Sequence, residues 1–106
     1  MTRAEGLEAL QRALEISREL ATVAERGEID AAIQLDADRL QLLKAARGAL
    51  PRPDEHEQRL LGEITALNAL ALGAMQHRQR AMARDMDMMA AGRRAMRAYT
   101  VNGQRR

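Results

Sequence analysis

Apolar residues recur at steps of three and four positions in the first part of the chain, which is the spacing of one helix face. They are Leu7, Leu10, Leu14, Ala21 and Ala24. Thr2 and Glu5 precede this run with capping-box spacing, and Gly27 follows it. Because glycine tolerates the left-handed conformation that ends helices, the pattern predicts a first helix over residues 3–26.

A second apolar pattern begins immediately after Gly27. Ile29, Ile33, Leu40 and Leu43 fall on one face of a predicted helix over residues 28–47. A connection this short forces the two helices to lie antiparallel. The first half of the chain is therefore expected to form a helical hairpin.

The clearest loop signal is the segment GALPRP at residues 48–53, where Pro51 and Pro53 disfavour helix. Asp54 and Glu57 then have capping-box spacing and begin a long third helix, expected over residues 54–91. Gly62 and Gly73 lie inside it, where small residues would allow another helix to approach closely.

Gly92 is the next position at which the third helix could end. Because an isolated glycine is tolerated inside helices, the sequence does not decide whether the helix ends there. We expect a short C-terminal helix over residues 93–100 and a flexible tail over residues 101–106. The fold class is all-α: an antiparallel helical hairpin packed on a long third helix, with a short C-terminal helix. Residues 1–106 are expected to form one domain, a three- to four-helix bundle.

Methionines form a stripe along the third helix. Met75, Met82, Met89 and Met96 are seven residues apart, and Met86 lies one turn from both Met82 and Met89. We call these five residues the methionine stripe, because seven-residue steps return to nearly the same helix face. The same register passes through Asn68, which we interpret as a buried polar residue that fixes the helix register.

Two interpretations of the methionine stripe remain open. It is either ordinary core, covered by residues 93–100 folding back, or an exposed surface that adapts to a partner, for which flexible methionine is suited. The two are compatible if a partner displaces the cover.

The composition favours helices and excludes several kinds of site and segment. The chain is 46% hydrophobic with one aromatic residue, Tyr99, and it has no Cys, which excludes disulfides and thiolate metal sites. No apolar run approaches the ~20 residues of a membrane span, and the first residues lack the apolar core of a signal peptide. A cytoplasmic protein is expected.

Charge is distributed unevenly. Residues 1–75 carry 9 Lys/Arg and 13 Asp/Glu, a net of −4, whereas residues 76–106 carry 8 Arg and 2 Asp, a net of +6. Nucleic-acid binding is disfavoured because there are no stacking aromatics in this basic region and its arginines spread around the helix. A solvated face or an acidic protein partner fits better.

The sequence signals for a catalytic site or a metal site are weak. Asp54, Glu55, His56 and Glu57 are consecutive at a helix start, so their side chains splay apart and cannot converge on a metal ion. There is one Ser and no Cys, and no motif of a nucleophile with its base or of a phosphate loop. We expect a non-enzymatic protein without a cofactor.

Three short segments carry motifs that are more specific than a general helical pattern. They are AERGEIDAAIQL at 24–35, RLQLL at 39–43, and GRRAMRAY at 92–99. In this order and separation, over roughly residues 7–100, they resemble the flagellar protein FliT family. Many members have Trp at the position of Ile29. Because Ile is also apolar, we expect it to keep an apolar plug at the turn.

The resemblance implies a cytoplasmic chaperone that holds the flagellar filament-cap protein until the type III apparatus secretes it. Some members also contact the export ATPase complex or the flagellar transcriptional regulator. The family's C-terminal helix is thought to cover the partner groove, which here corresponds to residues 93–100 over the methionine stripe.

These inferences assign roles to individual residues. The partner groove is predicted to be lined by Leu40, Leu43, Met75, Met82, Met86 and Met89. Met96 and Tyr99 would belong to the displaceable cover, and Arg93, Arg94 and Arg97 would contribute electrostatic contacts. The alternative is a homodimeric helical adaptor without chaperone activity, whose self-association seam is the methionine stripe.

Overall fold

The computed structural model describes residues 1–104 and contains three α-helices within that range. They are α1 (Arg3–Arg26), α2 (Ile29–Ala49) and α3 (Glu55–Gln104). No strand occurs among the described residues, so the all-α prediction is confirmed. The chain divides into two compact units, Met1–Met75 and Gln76–Arg106, which are described separately below.

The hairpin turn between α1 and α2 is a glycine-dependent helix stop. Gly27 has a φ of 77°, in the left-handed region. Its N–H donates to the carbonyl of Ala24 at 3.1 Å, and the N–H of Glu28 donates to the carbonyl of Val23 at 2.9 Å. These two bonds form a Schellman motif, which satisfies carbonyls that the end of α1 would otherwise leave free.

The start of α3 is fixed by a capping box. The N–H of Asp54 donates to the Glu57 carboxylate at 2.8 Å, and the N–H of Glu57 donates to the Asp54 carboxylate at 2.8 Å. The bond from the Glu57 N–H is the main reason that the pKa of Asp54 lies below its ordinary value. Arg3 also pairs with the buried Glu57 carboxylate, so the first turns of α1 and α3 are tied together.

Two apolar clusters form the core of the first unit. One joins α1 to the end of α2 and the start of α3, and its central side chains are Leu10, Leu14, Leu50, Leu60 and Ile64. The other lies towards the hairpin turn and is built around Leu20, Val23, Ala24, Ala32 and Ala71. These clusters hold the three helix segments of the first unit against one another.

The predicted apolar face of α2 is confirmed only at Leu43, which packs against the first core cluster, and is wrong at its other three residues. Ile29, Ile33 and Leu40 are 41%, 59% and 53% exposed. The buried positions of this helix are instead Ala32, Arg39 and Ala46. Apolar residues lie on several sides of α2, and its small side chains face the core. Ile29 is therefore not a buried plug at the turn.

The third helix does not end at Gly92. α3 continues to Gln104, so residues 93–100 belong to it and no separate C-terminal helix is present in the described chain. One glycine costs a helix only about 1 kcal/mol relative to Ala, and its neighbours here are strong helix formers. The predicted flexible tail has helical backbone over residues 101–104, and residues 105–106 lie outside the described range.

The glycines inside α3 do not mark a close helix contact. A Cβ atom at Gly62 or Gly73 would meet nothing within 4 Å. Our interpretation of these two residues as contact points is wrong, because both face open space. The close approach occurs at Gly6 of α1 instead, as discussed below.

Candidate partner-binding groove

The first unit has a groove between α2 and α3, which contains two cavities. Their volumes are about 380 Å³ and 340 Å³. Arg39 from α2 and Asn68 from α3 line both cavities, so the two adjoin at these residues. We call this surface the α2–α3 groove, and we name its two parts the loop-side cavity and the turn-side cavity.

The walls of the groove are mainly apolar. Leu43, Leu50, Leu61 and Ile64 line the loop-side cavity. Ile33, Leu72 and Met75 line the turn-side cavity, where Ile33 and Leu72 are 59% and 53% exposed. Large apolar side chains in a concave surface are typical of a site that binds an apolar ligand or a protein segment.

A buried arginine lies where the two cavities adjoin. The side chain of Arg39 is only 9% exposed, whereas that of its partner Asp36 is 45% exposed. Arg39 donates through Nη2 to Asp36 Oδ1 at 2.7 Å and through Nε to the same oxygen at 3.3 Å. Removing a guanidinium from water is costly, so this ion pair is what allows the charge to remain in the groove.

Three of the predicted groove residues belong to the first unit. Leu43 lines the loop-side cavity, and the half-buried Met75 lines the turn-side cavity. Leu40 is 53% exposed and lies beside Leu43 in a shallow hollow on α2.

The other three, Met82, Met86 and Met89, belong to the second unit and are 64%, 63% and 57% exposed. Their part in a common groove therefore stays a prediction.

The residues predicted as a cover are exposed and helical. Met96 and Tyr99 are 72% and 82% exposed. Both continue α3 beyond Met89, and residues within one continuous helix cannot fold back over its preceding turns. Arg93, Arg94 and Arg97 are exposed on the same helix.

Sequence reasoning missed the most distinctive member of the groove, Arg39. An arginine on an amphipathic helix usually lies on the solvent-exposed face, so the sequence did not single it out. The available signal was its position among Leu35, Leu42 and Leu43, which pack against the two core clusters. Asn68, predicted as a buried residue fixing register, is half-buried and lines the groove instead.

Two further findings concern the described part of the chain. Residues 1–104 contain no group of three or more His, Cys, Asp or Glu side chains placed to hold a metal ion. None of the helices in this range is both long and apolar enough to cross a membrane.

Comparison with known proteins gives one match. The family model described as "Flagellar protein FliT" matches residues 7–101, which is nearly the whole chain. No curated protein and no solved structure matches the chain.

Proposed function

Because this chain belongs to the FliT family of flagellar proteins, we propose that it is an export chaperone for the filament-cap protein. It would hold this partner in the cytoplasm before secretion by the flagellar type III apparatus. The observation that carries the proposal is the α2–α3 groove, an apolar concave surface that the first unit leaves open.

The groove has dimensions suited to a helical or extended protein segment. Within α2, the residues that line it run from Ala32 to Arg47, fifteen positions apart, which corresponds to roughly 22 Å along a helix. A docked helix of about four turns would reach both cavities. Burying the exposed half of each of the side chains of Ile33 and Leu72 would stabilise the complex by about 1 kcal/mol, since complete burial of such a side chain gives about 1.5–3 kcal/mol.

The second unit would add a basic, methionine-rich surface. Met82, Met86 and Met89 are exposed along α3, and flexible side chains of this kind adapt to apolar partners. Arg93, Arg94 and Arg97 would speed encounter with an acidic partner through their charge. A covering role for Met96 and Tyr99 would require α3 to break, and Gly92 is the position where the break would cost least.

Two exposed leucines on α3 provide a matched test of the groove. Leu72 is 53% exposed and lines the turn-side cavity. Leu70 is 65% exposed and lies in a hollow between α1 and α3. Leu72→Asp should weaken calorimetric binding of the C-terminal segment of the same organism's filament-cap protein by about tenfold or more, whereas Leu70→Asp should leave it unchanged.

The proposal fails if the cap-protein segment does not bind the unmodified chain. Equal weakening by the two aspartate variants would place the binding site away from the groove. Circular dichroism of both variants controls for loss of helix, and no loss is expected because both side chains are exposed.

The second unit is tested separately. Replacing Met82 and Met86 together with Asp should abolish binding while leaving helicity intact, if these residues contact the partner. Removing residues 92–106 should strengthen binding if they act as a cover. Unchanged affinity in both experiments would restrict the binding site to the first unit.

The alternative function is a homodimeric helical adaptor. It is favoured by the heptad spacing and exposure of the methionine stripe, which has the form of a self-association seam. Sedimentation at low micromolar concentration discriminates between the two. A stable dimer that is lost on truncation after Ala91 would support the adaptor, and a monomer would exclude it.

Contact with the export ATPase complex or with the flagellar transcriptional regulator would be an additional role of the chaperone. Neither role excludes binding of the filament-cap protein. Both are tested by the same calorimetric titration, with each candidate partner in place of the cap-protein segment.

A further inference from the structure

Two charged residues are buried in the described chain, Arg39 and Glu57. Glu57 has a structural explanation, since it caps α3 and pairs with Arg3. Arg39 has no such explanation, because it lies in the middle of α2 and caps nothing. A charge kept in an apolar groove without a structural need suggests a role in recognition.

The guanidinium of Arg39 is only partly used. A guanidinium has five N–H donors in a planar fork. The described structure assigns two of them, and both go to a single oxygen of Asp36. No buried side-chain nitrogen in the described range lacks a hydrogen-bond partner, so the donors that remain are not sealed from water, and Arg39 lines both cavities.

The charge of the groove favours an acidic occupant. Arg39, Arg47 and Asp36 are the charged side chains that line the two cavities, which gives a net of +1. Asp36 is half-exposed and remains in contact with water. The buried guanidinium is screened less than a surface charge, so its attraction for an anion is correspondingly stronger.

We infer that Arg39 determines specificity in the groove by binding an Asp or Glu side chain of the docked protein segment. The inference rests on the proposed function and names the chemistry that the groove recognises. A planar guanidinium binds a carboxylate through two parallel hydrogen bonds, which neutral amides cannot match. Asp36 holds the guanidinium in position through its bonds from Nε and Nη2.

The geometry also fixes where the acidic residue lies in the occupant. The turn-side and loop-side cavities adjoin at Arg39, and each has apolar walls. The bound carboxylate is therefore flanked on both sides by apolar residues of the same segment. On a helical occupant, these residues lie one to two turns before and after the acid.

The test is a calorimetric titration of the full chain with the C-terminal segment of the filament-cap protein, amidated at its terminus to exclude the α-carboxylate. Each Asp or Glu of the segment is replaced in turn by Asn or Gln. One replacement should weaken binding by about tenfold to a hundredfold, the usual effect of losing a hydrogen bond to a charged group. Arg39→Gln should remove this discrimination between acid and amide.

Arg47→Gln is the matched control, because Arg47 lines the same cavity but is exposed. This variant should keep the preference for the acidic segment. The acid-to-amide series on the unmodified chain needs no substitution of Arg39, so it can overturn the inference even if Arg39→Gln does not fold. In that case Arg39→Lys, which keeps the charge and loses the planar fork, replaces Arg39→Gln and should weaken the discrimination.

Three results overturn the inference. Tight binding of every amide segment would show that no carboxylate is recognised, and would leave the chaperone proposal intact. Equal discrimination by the Arg39→Gln variant would show that another residue reads the carboxylate. No binding of the unmodified segment to the unmodified chain would remove the proposed function, and the inference with it.

Discussion

A close approach between α1 and the end of α2 depends on the missing side chain of Gly6. A Cβ atom at Gly6 would lie 2.6 Å from Ala49 Cβ and 3.1 Å from Leu50 Cγ. Ala49 Cβ is attached directly to the backbone and cannot rotate away. The first turns of α1 can therefore pack against the end of α2 only because residue 6 is glycine.

Gly6→Ala should destabilise the protein by about 1–3 kcal/mol, the usual cost of overpacking. Gly62→Ala is the control, since a Cβ atom there would meet nothing within 4 Å. That substitution should stabilise α3 by up to about 1 kcal/mol. Urea unfolding measures both free energies, and the same sign for the two variants would contradict the assignment of Gly6.

Residues whose role is local could be predicted from the sequence. The caps at Thr2, Gly27 and Asp54 depend on neighbours within five positions, and the structure confirms all three. Gly6 and Arg39 could not be predicted in the same way. Their roles depend on another helix, at Ala49 for Gly6 and at the α2–α3 groove for Arg39. No local spacing reports the contact of Gly6, and the leucines around Arg39 indicate that it faces the core without indicating a groove.

At the scale of elements, hydrophobic periodicity predicted where the helices lie better than it predicted which face of each helix is buried. In α1 the predicted face is the buried one, because Leu10, Leu14 and Ala24 face the core. In α2 the large residues Ile33 and Leu40 are exposed, and the fully buried apolar positions are alanines, with three leucines packed only partly against the core. A helix with a groove on one side and a core on the other carries apolar residues on both.

The start of α3 should respond to pH through Asp54. In the folded state its pKa lies below the ordinary value of 3.8, chiefly because of the backbone hydrogen bond from Glu57. A lowered folded-state pKa contributes stability that is present above the unfolded pKa and is lost as pH falls through the folded pKa. Asp54 therefore stabilises the fold at neutral pH and loses this effect in acid.

Asp54→Asn keeps an oxygen for the cap and removes the titration. The melting temperature of the unmodified chain should exceed that of the variant by a constant amount at neutral pH. The difference should shrink as pH falls below about 4, near the reference pKa of Asp. Thermal melts across this range provide the check, and a difference that does not change with pH would contradict the role of the Asp54 charge.

At the scale of the whole molecule, the buried core is confined to one unit. Both apolar clusters lie within Met1–Met75. In the second unit, none of the residues 76–100 is buried. The family and the all-α class could be predicted from the sequence, but this division could not, because the methionine stripe has the same spacing whether it is covered or exposed.

Residues 1–75 should therefore fold without the second unit. A chain that ends at Met75 should keep a cooperative thermal transition, with a melting temperature within a few degrees of that of the full chain. Residues 76–106 alone should be only partly helical, because an isolated helix gains little stability without tertiary packing. Circular dichroism of the two fragments tests this, and an unfolded 1–75 fragment would contradict it.

The exposed methionines have a chemical consequence. Met82, Met86, Met88, Met89 and Met96 are all at least 57% exposed, so peroxide can add an oxygen to each sulfur and make this surface polar. The core clusters contain no fully buried methionine, and the chain has no cysteine to oxidise first. Mild peroxide treatment, followed by mass spectrometry, should therefore find sulfoxide on α3 while the melting temperature stays unchanged. A falling melting temperature would contradict this. Oxidants would thus change the chemistry of this exposed surface of α3 before they lower the stability of the protein.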